Sequence, residues 1–386
     1  MKVAHVIRSL LKSGAERICI DICNELHKNS TVEVLLIVLD EINEFQDMTK
    51  DLNIVYCQSK VRPSILGKSY IDTSEYEKII LDFKPDIIHS HLFWAEILTR
   101  EVIYPEVTYL THCHSNIREF QNFSFKSLFN KTKLTQFYEK YWLMPKYKIC
   151  RNNFLVISND SREYFQKVLP KPIQNIKLLH NAINYELFKR KGPFKPIDSK
   201  KIKLINVGSF TKNKNQAFLI KVVSYLVKKE INVELIFLGK GPEMKNVKNL
   251  SVYKELESRI QFKGTVDNVQ DYLNDSDIYV HSAIHESFGL VLLEAMAARL
   301  PVISIDGKGN RDVVLNGKNG YLINDQNVEE FGEKIISLVN DRELHKNLSS
   351  NAFHFAEKFD ISNYCEKLIE IYKKILIGNP QRKSWG

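Results

Sequence analysis

The fold class predicted by this sequence is α/β, in two halves of the same kind, each a doubly wound parallel sheet flanked by helices. Three observations carry that prediction. Short, nearly continuous Val/Ile/Leu runs alternate with segments of helical periodicity, as in strands buried on both faces by crossover helices. The pattern stops at a Lys- and Pro-rich stretch, Lys189–Lys203, and then restarts. The length, 386 residues, exceeds one ordinary domain and suits two.

Val3–Ile7 reads as the first strand, Ser13-Gly14 breaks the chain, and Ala15–Leu26 has helical periodicity. Val32–Leu39 is the next buried strand, and others are expected at Ile87–His89, Thr108–Thr111 and Phe154–Ser158. After the linker come strand Lys203–Val207, helix Gln216–Lys228, and strands Val233–Leu238 and Ile278–His281. A helix around Leu290–Ala298 and strand Pro301–Ile305 follow, and Asn363–Leu376 reads as an amphipathic helix. The expected division is 1–190 and 200–362, with the C-terminal helix, about 363–386, packing back on the first half. A ligand cleft is expected between two such Rossmann-like halves.

Composition narrows the functional classes. Hydrophobic residues at 44% and charged residues at 26% are those of a globular protein with a large core. No run of eighteen apolar residues occurs and the first residues lack a secretory pattern, so a cytoplasmic protein without a spanning helix is expected. The net charge of +9 invites nucleic acid, anionic lipid or phosphorylated substrates. No nucleic-acid-binding module pattern is present, so nucleic acid is not an expected partner. The 6 cysteines form no Cys-x-x-Cys pair, read as buried free thiols, and no zinc is expected.

The most informative segment is HSAIHESFGLVLLEAMAARLPVISID, residues 281–306. A strand ends near Ser282, a loop carries Glu286, and a helix begins about Phe288-Gly289. Unpaired amides in that first turn, with the helix dipole, suit a phosphate, and Gly289 lets backbone approach a ligand. Glu286 and Glu294 flank this turn, an arrangement that fits polyhydroxyl groups on either side of a diphosphate. The other reading is a dipole partner at Glu286 and a solvated face at Glu294.

The segment resembles the Glu-x-x-x-x-x-x-x-Glu signature of glycosyltransferase family 4, whose members have the two-domain GT-B fold. That resemblance implies that Glu286 binds hydroxyls of the transferred sugar and Glu294 the ribose hydroxyls. It assigns the donor phosphates or sugar to the amides of Ser287, Phe288, Gly289, Leu290 and Val291. NVGSFTKNKNQAFLI, residues 206–220, is similar to the family's Gly-Arg-x-x-x-x-Lys loop; Lys214 takes the Lys place, for the diphosphate, and Ser209 replaces Arg. Lys212 is a candidate for the lost charge. In 305–322, Gly307 and Gly309 either bring amides to the ligand or form a plain turn, and Asp312 stands where the family has Glu. Ser13-Gly14 stands where the family has Gly-Gly, which makes Gly14 a donor-binding candidate. PDIIHSH and LTHCHSN resemble two family strand ends, and by that match His114 reaches the donor sugar or an acceptor hydroxyl, with His91 and His112 as weaker candidates. IKLLHNAINYELF resembles the family hinge, with His180, Ala182 and Asn184 as departures. The resemblance spans residues 3 to about 322.

Function follows as an expectation: retaining transfer of a sugar from a nucleoside-diphosphate donor, UDP favoured, to a saccharide acceptor, lipid-linked, in bacterial surface polysaccharide (capsule or exopolysaccharide) assembly. His114, Glu286 and Lys214 carry the chemistry, with no metal and no cofactor. The alternative is a non-transferring nucleotide-sugar-binding protein or a GT-B epimerase. Asp275-Ser276-Asp277 imitates a metal–diphosphate motif but precedes a buried strand, and is read as structural. Between Lys126 and Arg151, Lys131, Lys133, Lys140, Lys146 and Lys148 face only Glu139, with Leu134, Phe137, Tyr138, Tyr141 and Trp142 at helical spacing. This stretch is either a membrane-surface helix, placing the protein on the inner membrane face, or a core-facing helix with a basic exterior.

Overall fold

A computed structural model describes residues 1–62, 70–116, 141–192, 194–198, 200–379 and 383–385. The chain forms two compact units, Met1–Asn181 with Ile361–Gly386, and Ala182–Asp360.

The first unit contains β1 (Lys2–Ile7), β2 (Glu33–Val38), β3 (Ile54–Tyr56), β4 (Val61–Arg62), β5 (Tyr70–Ile71), β6 (Ile87–His91), β7 (Thr108–Cys113), β8 (Asn153–Val156) and β9 (Ile176–Leu178). Seven of these form one parallel sheet in the order β3-β2-β1-β6-β7-β8-β9, and β4 and β5 pair antiparallel. Strand order reverses between β1 and β6, so the loops after these two strands diverge to opposite faces and leave a crevice at their carboxyl ends. Val6, Leu35, Ile37, Ile88 and Tyr109 fill the core on one face. Side chains of this size contribute about 1.5–3 kcal/mol each on full burial. Helix Ile361–Ile377 packs on helix Gly14–His27, and Trp385 reaches the same unit, donating from Nε1 to the Pro85 carbonyl at 3.1 Å.

The second unit contains β10 (Ile202–Val207), β11 (Val233–Leu238), β12 (Ile260–Gly264), β13 (Ile278–His281), β14 (Val302–Ile305) and β15 (Gly320–Ile323). All pair parallel in the order β12-β11-β10-β13-β14-β15, with the reversal between β10 and β13. Leu204, Phe237, Ile278, Val280 and Ile303 form its core with Phe218 and Phe331 from flanking helices. The stretch Lys189–Lys203 lies inside this unit, because the chain boundary falls between Asn181 and Ala182. Among the described residues, no helix is long and apolar enough to cross a membrane.

Candidate active site

In the second unit the switch point sets the loops after β10 and β13 side by side. The Ile284 amide donates to the Asn213 carbonyl at 2.9 Å, Asn213 Nδ2 donates to the His285 carbonyl at 2.7 Å, and the Ser282 hydroxyl donates to the Lys214 carbonyl at 2.7 Å. These bonds bring together two residues 72 apart in sequence: Lys214 Nζ lies 2.6 Å from Glu286 Oε2. The same oxygen accepts from His281 Nε2 at 3.0 Å. The side chains of Lys214, Glu286 and His281 are 24%, 12% and 1% exposed, so the pair is shielded from solvent on most sides. Burial alone would raise the Glu286 pKa; the Lys214 ammonium and the His281 N–H outweigh it and hold the carboxyl well below the usual carboxylate range. Burial lowers the His281 pKa against the opposing pull of Glu286, so the ring is neutral at pH 7 and donates from Nε2. His281 is a site residue that sequence reading missed; its position at the last residue of a strand feeding the Glu286 loop was the available signal.

Beyond Glu286 the chain turns into helix Leu290–Ala297 through Gly289 at φ 95. That left-handed conformation strongly favours glycine. Ser287 and the turn Gly289–Val291 aim the helix amino end at the carboxyl edge of the sheet, where the dipole favours an anion. Phe288 contributes only backbone, because its ring is buried with Phe359 at 6.0 Å. Glu294 is half-buried one turn further on, and both it and Glu286 act on the buried Tyr279 hydroxyl. Ser209 is exposed, and its carbonyl accepts from Gln216 Nε2 at 3.1 Å.

Gly307 and Gly309 serve the turn reading, not amide delivery. The Gly309 amide donates to the Glu286 carbonyl at 3.0 Å and the Gly307 amide to Asn310 Oδ1 at 2.9 Å, so both N–H groups are spent inside the protein. The Glu286 amide in turn donates to the Gly307 carbonyl at 2.9 Å, which clamps the Glu286 loop. A Cβ on Gly309 would stand 2.3 Å from the carbonyl oxygens of both Glu286 and Ser287. Asp275 and Asp277 lie at the opposite, amino end of β13. Lys203 Nζ sits 2.6 Å from Asp275, and Asp277 accepts the Lys203 amide at 2.8 Å and pairs with Lys195 at 3.5 Å. Both carboxylates are held by lysines, as a structural role requires.

In the first unit Ser13-Gly14 opens helix Gly14–His27, exposed, with the Ser13 hydroxyl donating to Glu16. Strand register then assembles a row of imidazoles. β1 pairs His5 with His89, and β6 pairs His91 with His112. Residues two apart on a strand share a face, so 89 with 91 and 112 with 114 extend the row. Ring centroids lie 4.7 Å apart for His5–His89, 4.5 Å for His89–His91 and 4.0 Å for His112–His114. Burial first, then the neighbouring rings, push His89, His91 and His112 well below the ordinary histidine pKa, and burial pushes His114 down to about 3. His114 is therefore a neutral group at the carboxyl edge, able to give or accept one hydrogen bond.

Of the basic amphipathic stretch, 126–140 lies outside the described residues. In helix 141–149, Leu143 and Tyr147 are buried, whereas Tyr141, Trp142 and Ile149 are 63%, 41% and 69% exposed. Lys148, Arg151, Lys171, Lys177 and Lys374 line a cavity of about 550 Å³ in the same unit.

The chain thus holds two parallel doubly wound units, with a Lys–Glu pair at the switch point of the second. The family profile described as Glycosyltransferase Family 4 matches residues 12–187, and that described as Glycosyl transferases group 1 matches 188–355. The chain belongs to glycosyltransferase family 4. It is 22% identical to an Escherichia coli UDP-Gal:alpha-D-GlcNAc-diphosphoundecaprenol alpha-1,3-galactosyltransferase, over 98% of each chain. It is 28% identical to the Bacillus subtilis poly(glycerol-phosphate) alpha-glucosyltransferase over 59% of its length, and spans about a third of that relative (34%). The crystal structure of Anabaena HepE in complex with UDP superposes with a TM-score of 0.77 at 18% identity, covering 97% of this chain and 100% of that one.

Proposed function

We propose that this glycosyltransferase moves a sugar from a nucleoside-diphosphate donor, a UDP-sugar by preference, to a lipid-linked saccharide, with retention of anomeric configuration and without a metal. The observation that carries the reading is the Lys214–Glu286 pair at the switch point, beside a helix amino end. On donor binding Lys214 exchanges its partner Glu286 for the diphosphate, and the first-turn amides 287–291 meet the phosphates. Glu286, still oriented by His281, then accepts from a hydroxyl of the transferred sugar, and Glu294 accepts from the ribose hydroxyls. The enzyme supplies orientation and charge stabilisation; the departing phosphate takes the acceptor proton on the face from which it leaves. His114 hydrogen-bonds the sugar or the acceptor hydroxyl, and Gly14 and Ser209 lie along the donor.

The E. coli relative's named donor and acceptor, the HepE complex with UDP and the +9 charge support the UDP-sugar and lipid-linked parts. The exposed Tyr141, Trp142 and Ile149, with the basic residues near them in sequence, support peripheral contact with anionic lipid at the inner face of the cytoplasmic membrane, in surface polysaccharide assembly. Incubation with UDP-, GDP- and ADP-sugars and lipid-linked acceptor extracts tests this by nucleoside diphosphate release. Acceptor-dependent release with a UDP-sugar, an α-linked product from an α-donor, and undiminished activity in excess chelator are expected. No release with any donor overturns transfer; recovery only on adding a divalent ion overturns the metal-free part.

A further inference from the structure

The cavity of about 550 Å³ in the first unit has no part in the transfer described above. It is lined by Asn153 and Asn175, where β8 and β9 begin, so it lies at the amino end of the sheet. His91 and His114 stand at the opposite, carboxyl edge. Lys148, Arg151, Lys171, Lys177 and Lys374 also line the cavity, and no Asp or Glu does. We propose that it is a binding site for a small phosphorylated ligand carrying two or more negative charges, separate from the donor site.

Charge is the first observation. Lys148 and Arg151 come from the end of helix 141–149, Lys171 and Lys177 from the approach to β9 and from β9 itself, and Lys374 from the last turn of helix Ile361–Ile377. Among the described residues, none of these five pairs with a carboxylate. A purely structural role would be to neutralise the two helix carboxyl ends. Each end carries about half a negative charge, so the two together call for about one cation and leave about four positive charges unanswered. A phosphate monoester carries about −1.5 to −2 near neutral pH, so a diphosphate or two phosphate groups match that excess and a single carboxylate does not. The volume falls within the range of small-molecule sites, about 300–1,000 Å³.

The backbone at Arg151 is the second observation. Helix 141–149 closes in a Schellman turn: the Asn152 amide donates to the Tyr147 carbonyl at 2.9 Å, and the Arg151 amide to the Lys148 carbonyl at 3.4 Å. Arg151 occupies the left-handed position of that turn, at φ 49, where glycine is the usual residue. An exposed arginine kept against that preference is expected where its guanidinium is used, and the planar fork matches phosphate oxygens.

The test uses the full chain and does not depend on transfer activity. UDP is added first to fill the donor diphosphate position, and its own heat of binding reports on the donor reading separately. Inorganic pyrophosphate is then titrated by calorimetry. One equivalent is expected, with affinity at least about tenfold weaker in Arg151→Gly and in the double variant Lys171→Gln, Lys177→Gln. Glycine fits the left-handed turn, so the melting temperature of Arg151→Gly should hold or rise, which separates a lost ligand from a lost fold. The double variant Lys50→Gln, Lys78→Gln removes the same charge from exposed positions elsewhere in the unit and should bind as the parent does. Phosphatidylcholine vesicles containing phosphatidic acid then identify the source of the phosphate. Chain that sediments with them and is released by pyrophosphate takes a lipid headgroup in the cavity; sedimentation that pyrophosphate leaves unchanged assigns the cavity to a free phosphorylated ligand. No pyrophosphate binding after UDP, or equal weakening in the Lys50, Lys78 variant, overturns the site.

Discussion

At Glu286 a lysine and a histidine converge on one carboxylate oxygen, and this fixes both its charge and its direction. Because its folded pKa lies below the ordinary carboxylate value, the pair stabilises the folded state above that value, and the stability is lost as pH falls through the folded pKa. Activity therefore should show no acid limb from Glu286 in the ordinary carboxylate range. Replacing Lys214 by Met removes the main opposition to burial, so an acid limb that the parent lacks should appear in kcat/KM. The same variant should lose about 100-fold in kcat, from the missing charge at the departing diphosphate. Steady-state profiles across pH check both effects; a variant profile with no new acid limb would mean that Glu286 does not act in transfer. Glu286→Gln keeps the shape but weakens the sugar contact, and should reduce turnover by about 100-fold with a smaller change in nucleotide binding.

The Gly307–Gly309 turn shows how a neighbouring strand end controls a catalytic loop. Gly309→Ala would drive a methyl into two backbone oxygens of the Glu286 loop, with an expected loss of about 1–3 kcal/mol and a fall in kcat. Denaturant melts with kinetics check this; unchanged activity would show that the loop tolerates displacement. The same scale explains what was legible in the sequence. The central strands β1, β2, β6, β7, β10, β11, β13 and β14 are buried on both faces and read as apolar runs. Within the two large sheets the strands left unread, β3, β9, β12 and β15, are the four edges, where exposed residues such as Lys177 and Lys263 interrupt the apolar signal. At the site, Glu286, Glu294 and Lys214 were legible because their motifs are local. The partnership of His281 with Glu286, and the meeting of His5 with His89, depend on a loop fold and a strand register that spacing does not encode.

Across the whole molecule the chain order and the packing order differ, since helix Ile361–Ile377 follows the second unit in sequence but belongs to the first. Tyr372 is fully buried there, bonded to His89 and His5. Tyr372→Ala should cost about 3–5 kcal/mol, and amide hydrogen exchange should rise in β1 and β6 while β10 and β13 stay protected. Equal loss of protection in both units would contradict that division. The donor-site assignment itself is tested most directly by a crystal structure of the chain with an intact or non-hydrolysable UDP-sugar. The account predicts the diphosphate against the first turn at 289–291 with Lys214 moved onto it, sugar hydroxyls on Glu286 and ribose hydroxyls on Glu294. A nucleotide bound away from this turn, with Lys214 still closed on Glu286, would contradict it.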